Sequence, residues 1–507
     1  MRKRFGKALL AGAVLLSGCG LSPFQSAGAK DQGMRAQALS GTPGWAKNAV
    51  FYQIFPERFA NGDRANDPRG VEPWGATPTF DNFMGGDLDG VTQKLPYLKE
   101  LGVNALYFNP VFSSSSNHKY NTRDYMHVDP AFGGDAAFLR MLKAAHGLGM
   151  KVMLDGVFNH TGDDSPLFQD CKEKGEKSPY WNWYSIWGFP VTTTPKPNYN
   201  AWWGFGTLPQ LRAASNPEVQ KYLFSVEEHW LRQGIDGWRL DVPNEIDSDD
   251  FWRTFRKKAR AINPEAYIVG EIWEDADRWL QGDQFDSVMN YVWRKHMLGF
   301  FAHGTMNVDQ FDGGLEALRN KYAPETTQAM FNILGSHDVP RFLSEAGGDV
   351  SKLKLAVLFQ MTYPGAPVVY YGDEIGMQGA KDPDNRRAFE WTQSRQNRDL
   401  LGFYRQLIAL RNANPVLRTG AFRSIRRHND LGLFGYVREL GQQKVAVLMN
   451  NSASAREWSL DVSSAFSDGT KLSDPLTGQA YAVQEGHVPL KLAPKQGIIL
   501  MPVASRR

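Results

Sequence analysis

The chain has 507 residues, enough for two or three domains with substantial cores, and its 42% hydrophobic and 22% charged content is that of a globular rather than a disordered or fibrous protein. A net charge of +3, dispersed along the chain, argues against a nucleic-acid partner or binding to an anionic membrane surface. Aromatics are plentiful, with 15 Trp, 18 Tyr and 30 Phe, which suits stacking on the apolar faces of sugar rings and suits a large core equally well.

The N-terminus carries an address. Arg2, Lys3, Arg4 and Lys7 form a basic start, and Ala8 to Leu16 form an apolar run too short to span a bilayer permanently. Leu16-Ser-Gly-Cys19 resembles a bacterial lipobox. It predicts a signal peptide over 1–18 and a lipid anchor on Cys19 at the outer face of a bacterial membrane, while Ala27-Gly28-Ala29 offers an ordinary cleavage site and a secreted protein. Lipidation leaves Cys171 as the only free thiol, so no disulfide framework can form. Residues 19–44 read as a small-residue tether.

From residue 45 onward, apolar runs alternate with amphipathic helices. The strand-like runs are Val50–Phe55, Ala105–Phe108, Lys151–Leu154, Gly237–Leu240, Tyr267–Val269, Ser287–Met289, Met330–Leu334 and Val368–Tyr371. Asn216-Pro217 predicts a helix start, followed by Val219, Leu223, Val226 and Trp230 at helical spacing. Eight strand–helix units predict an α/β fold, a (β/α)8 TIM barrel over 45–414, whose reactive residues gather at the C-terminal strand ends. The third connection, about 161–215, is far too long for a simple loop and is rich in Trp, which predicts an inserted subdomain flanking the cleft. After Asn414-Pro415, short alternating runs such as Gly432–Val437 and Lys444–Asn450 predict a C-terminal all-β sandwich domain over 415–507.

Four strand ends carry chemistry. The third gives Asp155-Gly-Val-Phe-Asn-His160, the fourth Arg239 and Asp241, the fifth Glu271, and the seventh Gly-Ser-His337-Asp338. Arg239 and Asp241 are two apart and share a strand face, where the guanidinium is expected to hold the acid ionised; the same pair also reads as a structural ion pair. Glu271, beside Trp273 and other apolar residues, suits a carboxyl that holds a proton.

These four segments, in this order, with the start Tyr52-Gln-Ile-Phe-Pro-Glu-Arg-Phe59, resemble the α-amylase family, glycoside hydrolase family 13. Val-Pro-Asn244-Glu245 and Gly-Ser-His-Asp-Val-Pro-Arg341 resemble its neopullulanase, cyclomaltodextrinase and maltogenic amylase branch. The resemblance implies a retaining hydrolase acting on α-1,4 bonds of α-glucans. Asp241 would be its nucleophile, Glu271 its general acid/base and Asp338 its transition-state stabiliser. It implies hydroxyl-binding roles for His118, His160 and His337, a stacking role for Tyr120, support from Arg239, and a pair, Asp382 and Arg386, holding the same ring. It also implies structural calcium on a loop drawing on Asn61, Asp63, Asn66, Asp67, Gly85 and Asp87. From the residues alone that loop reads as a Ca²⁺ site or as a solvated Asn/Asp turn. The branch usually carries a β-sandwich domain that builds a dimer ahead of the barrel; here a tether precedes Trp45, which predicts a monomer. Gln210, in Leu208-Pro-Gln-Leu211, and Glu274 depart from the branch pattern at sugar-facing positions. Two alternatives stand beside hydrolysis: a 4-α-glucanotransferase or α-glucosidase, and a surface α-glucan-binding lipoprotein without catalysis.

Overall fold

The computed structural model describes residues 41–503, so the expected leader, its Cys19 and most of the expected tether lie outside the described residues. Eight parallel strands form the central sheet: β1 (Phe51–Ile54), β2 (Ala105–Phe108), β3 (Lys151–Gly156), β4 (Gly237–Leu240), β5 (Tyr267–Gly270), β6 (Ser287–Val288), β7 (Phe331–Ile333) and β8 (Ala366–Tyr370). Their spatial order is β6-β5-β4-β3-β2-β1-β8-β7, and a parallel bridge from Met289 to Phe331 joins the two ends into a barrel. The eight strand-like runs of the sequence are these eight strands.

Side-chain alternation splits each strand between two cores. Phe51, Tyr107, Met153, Val269, Phe331, Ile333 and Val368 fill the barrel interior, while Tyr52, Ile54, Leu106, Val152, Trp238 and Ile268 meet the surrounding helices. Continuing that period of two toward the C-terminal ends carries Gln53, Asn109, Asp155, Arg239 and Glu271 onto the interior face, where the apolar filling stops. Gly237 lies beneath Arg239, and a Cβ there would sit 2.2 Å from the Tyr267 carbonyl oxygen. Only glycine lets β4 and β5 approach so closely.

The helix Pro217–Gln233 starts where Asn216-Pro217 predicts it, with the Asn216 side chain accepting from the Glu218 and Val219 N–H groups and Gly234 closing the end at φ 107°. Between β3 and this helix the insertion holds one helix, Pro166–Lys174, and short 3₁₀ turns around a local core of Phe168, Cys171, Tyr184 and Tyr199. Cys171 is buried there as a free thiol.

After the short helix Pro415–Thr419 come β9 (Ala421–His428), β10 (Leu433–Leu440), β11 (Gln443–Asn450), β12 (Arg456–Asp461), β13 (Lys471–Ser473), β14 (Ala480–Ala482), β15 (His487–Leu492) and β16 (Gly497–Pro502). A six-stranded sheet, β9-β10-β11-β16-β13-β14, and the ribbon β12-β15 enclose a separate apolar core that includes Leu448, Leu460, Val488 and Leu500. This is the all-β C-terminal domain.

Candidate active site

The polar residues at the C-terminal strand ends converge on Arg239, which is fully buried. Its Nη1 donates to Asp155 Oδ1 at 2.8 Å and to Asp241 Oδ1 at 2.9 Å. Its Nη2 lies 2.9 Å from Glu271 Oε2 and 3.9 Å from Asp338 Oδ2. Four carboxyl groups therefore surround one guanidinium, and Asp241 and Glu271 are joined through its two terminal nitrogens.

The backbone completes this arrangement. Directly after Asp241 the chain turns left-handed at Val242, φ 34° and ψ 51°, a costly conformation for a β-branched residue. The turn aims the Val242 N–H at Glu271 Oε2, 3.0 Å away. The other oxygen, Oε1, accepts from the Trp273 indole N–H at 3.0 Å. Trp273 thus meets Glu271 with its polar edge, not as the apolar wall expected from sequence. Its ring stacks on Tyr291 at 3.8 Å and 7°, and 46% of the residue stays exposed.

The electrostatics correct a second expectation. Burial drives the Asp241 carboxyl well above its ordinary range; Arg239 opposes this, and Glu271, Asp155 and Asp338 add to it. One guanidinium does not offset desolvation plus neighbouring acids, so Asp241 and Asp155 are both displaced upward, with burial the largest cause. Asp338 is pushed up to about 7 by burial and Glu271, against Arg239 and Arg386.

His337, Tyr120 and His118 form a layered wall beside the carboxylates. Gln53 Nε2 donates to His337 Nδ1 at 2.9 Å and to Asn109 Oδ1 at 3.1 Å. His337 Nε2 faces Tyr120 Oη at 2.5 Å and Asp338 Oδ1 at 3.1 Å. Tyr120 stacks on His337 at 5.3 Å and 3°, and on His118 at 5.9 Å and 29°; the left-handed backbone of Lys119, φ 63°, sits between His118 and Tyr120. Tyr120 Oη also donates to Asp155 Oδ2 at 2.8 Å. His160 Nε2 reaches the Tyr120 carbonyl oxygen at 3.2 Å, and its ring stacks on Trp202 at 5.6 Å.

Burial lowers all three imidazoles: His118 to about 3, His160 to about 4 and His337 well below its ordinary value. They stand as neutral hydrogen-bonding groups. Arg386 closes the wall, with Nε donating to the His337 carbonyl oxygen at 2.9 Å and Nη2 lying 3.1 Å from Asp382 Oδ2. Among the described residues Asp382 Oδ1 is buried without a partner.

All ten catalytic and sugar-contact positions proposed from sequence thus meet in one contiguous cluster at the C-terminal strand ends. Asp155, noted in sequence at the third strand end, had been given no role there, and Tyr107, whose hydroxyl donates to Asp155 at 2.8 Å, was not singled out, nor were Gln53, Asn109, Val242 and Tyr291. Strand alternation carried the signal for Gln53, Tyr107, Asn109 and Asp155, since each lies on the inward face near a strand end. Gln210 donates to Asn159 Oδ1 at 2.9 Å, tying the insertion to the rim of β3.

The loop Asn61–Asp87 lies apart from these carboxylates. Gly85, at φ 81°, packs so closely that a Cβ there would meet Asp67 Oδ1 at 2.3 Å and Asn61 Nδ2 at 2.5 Å. Among the described residues Asn61 Oδ1 and both polar atoms of the Asn66 amide are buried with no partner. Asp63 Oδ1 caps the Ala65 N–H at 3.0 Å. The Asp87 carboxylate accepts from Gly62, Asp63 and Gly90 N–H groups at 2.6 to 3.1 Å, so it organises the loop. Orphaned amide oxygens beside two carboxylates fit a hard cation such as Ca²⁺. Among the described residues no three His, Cys, Asp or Glu side chains gather as a metal set, so a cation here would rely on amide and backbone oxygens.

A barrel with carboxylates arrayed around one inward arginine at its C-terminal mouth has the layout of a (β/α)8 enzyme, whose active site lies at that face. The model of the α-amylase catalytic domain matches residues 53–393. The chain is 50% identical over 462 residues to neopullulanase 2 of Thermoactinomyces vulgaris, covering 90% of this chain and 78% of that protein. It is 46% identical over 416 residues to a cyclomaltodextrinase of Thermoanaerobacter pseudethanolicus, covering 81% and 71%. The ligand-free cyclic α-maltosyl-(1→6)-maltose hydrolase of Arthrobacter globiformis superposes with a TM-score of 0.83 at 38% identity, covering 91% of this chain and all of that one. The chain belongs to the α-amylase family, as a glycoside hydrolase of the branch that holds neopullulanase, cyclomaltodextrinase and maltogenic amylase.

Proposed function

We propose that this protein hydrolyses α-1,4-glucosidic bonds of maltooligosaccharides, starch fragments or related dextrins with retention of anomeric configuration. The observation that carries this reading is that Arg239 holds Asp241 and Glu271 through one guanidinium. So short a bridge favours the close pair of a retaining enzyme, roughly 5–5.5 Å apart, over the wider pair that admits a water.

Asp241, when ionised, attacks the anomeric carbon. Glu271 gives its proton to the departing oxygen, then takes one from the incoming water. Asp338 grips ring hydroxyls more tightly as positive charge develops. The neutral His118, His160 and His337 bond hydroxyls, Tyr120 stacks beneath the ring, and Asp382 and Arg386 hold its far edge. Trp273, on its Tyr291 support, offers a face to the leaving sugar, and Trp202 with Trp203 (4.9 Å, 14°) offers another from the insertion.

A structural Ca²⁺ on Asn61, Asp63, Asn66, Asp67, Gly85 and Asp87 would neutralise the loop carboxylates and brace the connection after β1. The leader supports export with a lipid on Cys19, tested by whether Cys19→Ala moves the protein from the membrane fraction to the medium.

The decisive experiment follows products from maltoheptaose, β-cyclodextrin and pullulan, with the first-formed anomer read by NMR. α-Anomer release by the intact enzyme is expected, with a loss of roughly 10⁴-fold or more in kcat for Asp241→Asn, in line with nucleophile removal elsewhere. Release of β-anomer first, or full activity in that variant, would reject the assignment.

A further inference from the structure

We propose that a groove on the C-terminal β domain, built around Trp458 and Tyr481, is a second, non-catalytic binding site for α-glucan chains. Trp458 lies on β12 opposite Leu490 of β15, and Tyr481 lies on β14 opposite Leu472 of β13. Both rings are half-buried and rest on the β-domain core, which fixes their orientation before any ligand arrives. Among the described residues no other aromatic ring stacks on either of them, whereas Trp202, Trp273 and Trp391 all have ring neighbours.

Their polar tips are unused as well. Among the described residues the Trp458 indole N–H and the Tyr481 hydroxyl make no hydrogen bond to the protein, and neither is a buried orphan. Trp74, Trp230 and Trp391 instead donate theirs to backbone carbonyls. The groove they line is open and about 570 Å³, a size that takes a short oligosaccharide.

The rim selects a neutral ligand. Lys491 Nζ and Glu457 Oε1 pair at 3.2 Å with both side chains about three-quarters exposed, leaving no net field for an anion or a cation. Gln479 supplies an exposed amide beside them. Aromatic faces flanked by N–H, O–H and amide groups, without net charge, match the apolar face and hydroxyl edge of a sugar ring. The chain's own substrate is the ligand of that chemistry it meets, so this inference rests on the α-glucan reading of the cleft. Holding a long chain here keeps it on the enzyme without touching the chemistry.

The test measures retention of the full-length protein on insoluble starch beside turnover of soluble maltotriose, for Trp458→Ala, Tyr481→Ser and the double variant. We expect the double variant to lose starch retention at least threefold while its kcat/KM on maltotriose stays within twofold of the parent. A smaller loss of retention, or an equal loss of maltotriose turnover, overturns the proposal. Trp458→Phe keeps the ring face and should retain binding, and Tyr481→Ser changes only a half-exposed ring, so a folding failure of Trp458→Ala does not remove the test. Failure of the cleft reading would show differently: the parent would not turn over maltotriose, whatever its retention on starch.

Discussion

At Asp338 the requirements of folding and of chemistry pull apart. Its folded carboxyl titrates at about 7, whereas an unfolded Asp titrates near 3.9. Between those values the folded state binds more protons than the unfolded one, so stability falls as pH rises from about 4 to about 7. Asp338→Asn removes that cost. The variant should melt higher than the parent at pH 8 and together with it near pH 4 in thermal denaturation, while kcat falls roughly 10³-fold for want of a charge facing the cationic transition state. Equal melting curves at both pH values would show that Asp338 pays no such cost. Asp241 and Glu271 stood out as candidates because each directly follows a strand-like run, and Asp338 because it lies in the Gly-Ser-His-Asp segment just past the seventh run. The upward displacement of Asp155, Asp241 and Asp338 was not legible, because it depends on how deeply these acids are buried around one arginine.

The helix Pro217–Gln233 carries a similar cost in a place chemistry does not explain. Leu223, Val226, Trp230 and Leu231 form its buried stripe, and Glu227 falls within the same stripe with no exposed surface and both oxygens unpartnered. Burial, with help from Glu228 and against Lys258, pushes its carboxyl up to about 10. The folded pKa is again the higher, so stability is lost as pH climbs from about 4 toward 10. Glu227→Gln mimics the protonated acid and should raise Tm at pH 8 by at least about 2 °C, with the gap closing near pH 4 and turnover unchanged. At the scale of a loop, the segment after β1 gives another expectation. Chelation of divalent ions should lower Tm, and added Ca²⁺ should restore it. Gly85→Ala should abolish that response, because its Cβ would collide with Asp67 and Asn61. A melting curve indifferent to chelator in the parent would remove calcium from the account. Helix starts such as Asn216-Pro217 are local chemistry and therefore readable; the insertion's short turns are held by distant partners such as Gln210 and Asn159, and no period announces them.

At the largest scale, the junction between barrel and β domain rests on two buried arginines that, among the described residues, pair with no carboxylate. Arg411 donates to the carbonyls of Met361, Tyr363 and Leu417 at 2.9 to 3.2 Å. Arg438 donates to Leu417 and Gly420 at 2.8 and 2.7 Å, and also to Thr362 of the barrel. Each side chain thereby ties a barrel helix to the short helix before β9. Arg438→Met strips donors from several buried carbonyls and should cost about 3 kcal/mol or more. Calorimetry should then resolve two transitions, the β domain melting ahead of the barrel; one unshifted transition would rule out this role for the junction.

The order of strands and helices, the position of the insertion and the family were fixed by local signals: a period of two, a period of 3.6, caps, and four motifs at strand ends. Those are properties of neighbouring residues, and they survive in one dimension. Which way Trp273 turns its indole, how Val242 twists to reach Glu271, how far burial displaces the acids around Arg239, and that Trp458 and Tyr481 share one groove depend on distances between segments far apart in the chain. Such distances, and the loss of water that accompanies them, exist only once the chain has folded.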